Sequence, residues 1–135
     1  MAAPADSSAG VAPATAPAGT DPQLTRALRL SVAQHLAAAG LEGSLGGYSL
    51  SPALIQLRRY VDPGQKSTKF VCVVGLSLQN EQREVVAEIR GNAAAVAPSS
   101  PLDAIDAAAH SAVLRVPGAL AAVQARANNR RWAQR

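Results

Sequence analysis

Few side chains in this 135-residue chain are equipped for chemistry, and their spacing decides what they can do. The only thiol, Cys72, lies between Phe70 and Val74 in an alternating apolar run. A nucleophilic thiol needs exposure and an electropositive setting. Cys72 therefore reads as a small buried hydrophobe, and one cysteine excludes an internal disulfide scaffold. His110 follows Asp106 by four residues, which puts both on one helix face within hydrogen-bonding reach. With Ser111 or Cys72 they could form a nucleophilic triad, yet no Gly-rich elbow or oxyanion motif accompanies them. A solvated helical pair accounts for the spacing. His35, on an earlier helix, reads as a boundary residue. Two histidines and one buried cysteine do not make a metal centre, and neither a phosphate loop nor a dinucleotide fingerprint occurs. The expectation is a protein with no catalytic residue, no metal and no cofactor.

The remaining chemistry is cationic and localised. Residues 1–125 hold nine basic and nine acidic groups, so the net charge of +4 belongs to Arg126, Arg130, Arg131 and Arg135. Arginine binds phosphate or carboxylate bidentately, and Trp132 can stack on a base or enter a lipid interface. These five residues are a candidate anion-binding tail. The alternative is a helix end whose basic residues merely suit the negative end of the macrodipole.

Residues 1–20 are built from Ala, Pro, Ser, Gly and Thr, with Val11 the one large aliphatic among them. Such a segment buries too little surface to offset its ordering entropy, so a disordered arm is expected, followed by one domain over 21–125 and the tail over 126–135. The arm lacks the apolar core of a signal peptide. Two settings remain open: cytoplasmic, if Met1 is the true start, or exported, if a signal was removed. No apolar run approaches the ~18–20 residues of a membrane span.

Asp21-Pro22 opens a helix over 22–39, with Leu24, Leu28, Val32, Leu36 and Ala39 along one face and Gly40 as its left-handed exit. Ser51–Val61 fits a strand or a short helix. The Asp62-Pro63-Gly64 turn after it favours the strand, with Ile55, Leu57 and Val61 on one face. Lys69–Gln79 alternates with Phe70, Cys72, Val74, Leu76 and Leu78 toward a core. Glu84–Arg90 alternates likewise, and a four-residue loop pairs Leu78 with Val85. A small-residue linker follows Gly91. Ser100-Pro101-Leu102-Asp103 resembles a capping box, opening a helix whose stripe runs Leu102, Ile105, Ala109, Ala112, Val113 and Val116. Pro117-Gly118 must break it, before a short helix over 119–127. The fold class is α+β: a three-stranded antiparallel meander with helices on its apolar face, plus a short C-terminal helical extension. Thirty alanines and four aromatic residues predict a thin core.

Extending these registers across the sheet places Arg58, Val73 and Arg90 in one row, with Tyr60, Val71 and Val86 nearby. This second face is either an ordinary solvated surface or a contact surface for a protein partner or a second copy, its valines adding apolar area that water disfavours. The α–β–β–β–α order over residues 22–116, with Phe70 opening a central strand and Ala107–Leu114 in an alanine-rich last helix, resembles the double-stranded-RNA-binding domain. That resemblance implies nucleic-acid binding. The chain departs from it at Pro101-Leu102-Asp103-Ala104 and Asp106, where that family carries a lysine cluster and two acids would repel a duplex. The leading expectation is a non-catalytic binding module, with nucleic acid through the basic tail or an exported envelope-associated role as alternatives.

Overall fold

Asp21 accepts the Gln23 amide and Pro22 takes the first turn of α1, Pro22–Ala38. At its end the Leu41 amide donates to the Leu36 carbonyl and Gly40, at φ +70°, turns the chain away. This is a Schellman closure, with Leu41 packed on the core beside the helix. The computed structural model describes residues 11–41, 45–62, 64, 67–96 and 100–133, with 62, 67, 95–96 and 130–133 described by backbone alone. Residues 1–10 of the expected arm, Pro63 of the expected turn and Arg135 lie outside the described residues.

Strands β1 (Ser49–Asp62), β2 (Ser67–Gln79) and β3 (Val85–Val96) follow, then helices α2 (Pro101–Val113) and α3 (Val116–Ala133). The sheet is an antiparallel meander in the order β1-β2-β3, so the α+β fold is as expected, and residues 51–61 are strand. Leu50, Leu54, Cys72, Val74, Leu76, Leu78 and Ile89 bury one face under the helices, with Leu28, Val32, Leu36, Ile105, Val113 and Val116 above them.

Residues 11–20, the described part of the arm, differ from expectation. Val11 is 3% exposed, and residues 11 and 15 pair in parallel with Leu50 and Ala53. Ala12 donates to the Leu50 carbonyl, Thr15 to that of Pro52, and Leu54 back to Thr15. The Arg29 side chain, through Nε at 3.1 Å and Nη2 at 3.0 Å, clasps the Val11 carbonyl. Composition could not reveal this, because the ordering comes from an existing strand edge rather than from the segment's own burial. Pro52 fits there because its nitrogen faces the arm and not β2.

Register differs by two residues. Leu78 pairs with Ala87, Leu76 with Ile89 and Val74 with Gly91. A two-residue slip preserves which side chains face the core, so alternation alone could not detect it. The turn absorbs it: Asn80 Oδ1 accepts the Gln82 and Glu84 amides, Arg83 takes φ +64°, and an irregularity at Gln79 sets Val85 beside it. A bulge between Leu54 and Gln56 carries Ile55 to the second face, where its Cδ1 lies 2.9 Å from the place a Gly75 side chain would occupy.

Of the expected linker after Gly91, residues 92–96 are strand and 97–99 lie outside the described residues. Its small residues serve α2, whose capping box at Ser100 and Asp103 forms as expected. Ala104, Ala108, Ala109 and Ala112 are buried against the sheet, while Leu102, assigned to the stripe from spacing, is 48% exposed. A side chain at Gly91 would collide with the Ala108 carbonyl oxygen and the Ala112 backbone nitrogen. The helical break falls at Leu114-Arg115, ahead of Pro117, which is accommodated in the first turn of α3 where its missing donor costs nothing. The last helix runs well past residue 127, through Ala133.

Gly91→Ala should lower the unfolding free energy by about 1–3 kcal/mol, the usual cost of overpacking, read as a lower urea midpoint at unchanged slope. Gly118→Ala, with nothing within 4 Å of the new methyl group, should leave the midpoint unchanged or raise it. Equal midpoints for the two variants would contradict the close seat of α2.

Candidate functional site

The Asp106 pairing runs between helices rather than along one. From α1, the Ser31 hydroxyl donates to Asp106 Oδ1, and His35 Nε2 meets the same oxygen at 3.0 Å. His110 stacks on His35, ring centroids 4.6 Å apart and 18° from parallel. In a hydrolytic triad the imidazole lies between hydroxyl and carboxylate; here hydroxyl and imidazole both address the acid, so nothing activates Ser31. The Ser31 hydrogen bond is the main reason the Asp106 carboxyl lies below the ordinary carboxylate range; burial opposes it, and the hydrogen bond and charge of His35, then the charge of His110, add to the lowering. The group is a clasp between α1 and α2. Spacing within one helix identified Asp106 and His110 but not Ser31, whose role depends on how the helices pack.

Cys72 is 0% exposed, and burial pushes its thiol up to about 11. Among the described residues no cluster of three His, Cys, Asp or Glu side chains is placed to hold a metal ion.

On the second sheet face, Arg58 stands opposite Val71 and Val71 opposite Ala94; Arg90 stands opposite Gly75, itself opposite Ala53. Val73 lies between Gln56 and Asn92, so the expected Arg58–Val73–Arg90 row does not form, a consequence of the Ile55 bulge and the two-residue slip. Arg58, Tyr60, Val71, Val73 and Arg90 do share this face, with Arg58, Tyr60 and Arg90 exposed. Val86 does not join them: the irregularity at Gln79 turns it toward α3, and it packs on the core. A small depression of about 100 Å³ sits beside Ile55, Gly75, Glu88 and Arg90. No described helix covers this face.

At the sheet end holding the β2–β3 turn are two clefts that share Tyr48 and Asn80. One, of about 310 Å³, is completed by Gly47, Glu81 and Gln82. The other, of about 410 Å³, lies against Val86, Val123 and Arg126. Sequence reasoning missed Tyr48 and Asn80; the Asn80 turn was the available local signal. Arg126 Nε donates to the Ala122 carbonyl at 3.4 Å. The backbone at Arg130, Arg131 and Trp132 continues α3, so most of the expected tail is helix. Among the described residues no helix is long and apolar enough to cross a membrane.

No family model matches the chain's sequence, and no curated protein sequence does. Solved structures are similar to it. A minor lipoprotein from Acinetobacter baumannii superposes with a TM-score of 0.52 at 15% identity, over 77% of this chain and 91% of that one. A lipoprotein candidate from Caulobacter crescentus CB15 gives 0.48 at 16% identity, over 89% and 95% of the two chains. A DUF330 protein from Xanthomonas campestris gives 0.46 at 19%, over 78% and 76%. The Acinetobacter likeness shows that the α+β arrangement described above is one that a solved protein adopts.

Because the Asp106 carboxyl sits lower in the folded state than unfolded, its contribution is present above the ordinary carboxylate range and lost as pH falls through the folded value. Asp106→Asn should cost less than about 1 kcal/mol near neutral pH, since the acid is more than half exposed and screened. The difference from wild type in urea midpoint should close in acid; a gap that widens in acid would contradict the clasp. Cys72 should resist a thiol reagent in the native protein and react fully in urea. Rapid native labelling would show that the thiol is accessible.

Proposed function

We propose that this chain is a non-catalytic binding module of an exported, envelope-associated protein. It contacts a protein partner or its own copy through the second sheet face, and an anionic partner through the end of α3. The single observation that carries this reading is the bare sheet face. Val71 and Val73 lie along its central strand, with Ile55 39% and Tyr60 48% exposed near them. Arg58, Lys69 and Arg90 surround these groups with Glu88 as the one acid among them, and no described ion pair involves the arginines. Apolar centres ringed by arginine and tyrosine are what protein interfaces use, and the charge balance fits an acidic partner. The absence of a triad geometry around Ser31, and the sealed Cys72, favour binding over catalysis.

The exported setting rests on the fold shared with the Acinetobacter lipoprotein.

A photo-crosslinking residue placed at Val73 in cells should give a discrete adduct, in the envelope fraction. The same residue at Leu114, 64% exposed at the end of α2, should give none. Equal adducts at both positions, or none at Val73, would contradict the proposal.

A further inference from the structure

The two outer edges of the sheet are treated differently. The edge of β1 is taken by the arm: Ala12 and Thr15 donate to the Leu50 and Pro52 carbonyls, and Leu54 donates to that of Thr15. On the opposite side β3 follows β2 and has no further neighbour in the sheet. Among the described residues, no backbone hydrogen bond reaches Val85–Ala94 from outside the sheet. The features that usually blunt an open edge are missing as well. β3 holds no proline and no lysine, and from Ala87 to Val96 its register with β2 is unbroken. The cleft under α3 lies at the start of the strand, beside Val85 and Val86.

Two charges stand on this open strand. Glu88 and Arg90 are exposed on the second sheet face. Their neighbours on β2 are Ser77 and Gly75, which offer no charge. Among the described residues neither side chain enters an ion pair or a hydrogen bond.

We propose that a second copy of the chain occupies this edge, the two β3 strands running antiparallel about a two-fold axis at Ile89. Charge complementarity selects both the occupant and the register. Residues directly opposite in an antiparallel pair share a face, so the axis must pass through a residue. An axis at Glu88 sets two glutamates against each other, and one at Arg90 sets two arginines. An axis at Ile89 sets Glu88 of each copy opposite Arg90 of the other, making two favourable pairs at once. The pattern is complementary to itself, which favours a second copy over a foreign strand. Main-chain bonds along the edge supply the affinity, and the charge pairs fix the register. The result is one sheet of six strands. Growth stops there, because the arm closes the β1 edge of each copy. This contact goes beyond the reading of the second sheet face, which stays open to its own partner.

Light scattering on the intact chain at about 0.2 mM should give twice the mass of one chain. Glu88→Arg and Arg90→Glu should each weaken dimerisation by at least about tenfold, since each sets like charges opposite one another. Mixed in equal amounts, the two variants should restore the dimer, because every facing pair is again of opposite sign. Misfolding of either variant cannot produce that rescue. A monomer at this concentration overturns the proposal and leaves the edge to a strand of a different protein. A dimer that survives both single substitutions, or variants that stay monomeric when mixed, also overturns it.

Discussion

The structure depends on how closely α2 can lie on β3, and that distance is set by a missing side chain at Gly91. An alanine buries little area, so a core built from alanines gains enough only if backbones approach and dispersion contacts multiply. With residue 91 bare, Ala108 and Ala112 meet the strand itself. From that seat α2 presents Asp106 to α1, and Ser31 and His35 fasten the second helix to the first. α1 in turn supplies Arg29, which holds the Val11 carbonyl and closes the arm onto β1. Each attachment is small, and each is positioned by the one before it.

What could be read from the sequence was what is local. Asp21-Pro22, Gly40 and the Ser100–Asp103 box act within a few residues of themselves, so their geometry followed directly. The core side of β2 was legible for the same reason, since alternation is a property of the strand alone. The bounds of the last helix aside, the errors involve partners distant in sequence. Gly91–Val96 looked like a linker because small residues that admit a helix resemble small residues that make a flexible loop. The arm looked disordered through residue 20 because its order is borrowed from β1.

The candidate site divides along the same line. Arg58, Tyr60, Val71, Val73 and Arg90 were placed on a common face correctly because parity survives a two-residue slip. Their rows were not, and Val86 left the face, because a bulge and a turn irregularity are decided between strands. Ser31 had no motif at all. Two surfaces result on a body with no net charge. One is a broad sheet face with apolar centre and basic rim; the other is the end of α3 from Arg126 onward, which follows Val123, the last buried position among the described residues.

That separation is the central claim, and shortening the chain tests it most directly. A protein ending at Ala125 retains Val116, Leu120 and Val123, the buried stripe of α3. Its urea unfolding should remain cooperative, with stability within about 0.5 kcal/mol of the full chain, as for changes confined to the surface. Loss of cooperativity, or a fall in stability of several times that amount, would show that the basic end belongs to the fold and contradict the account.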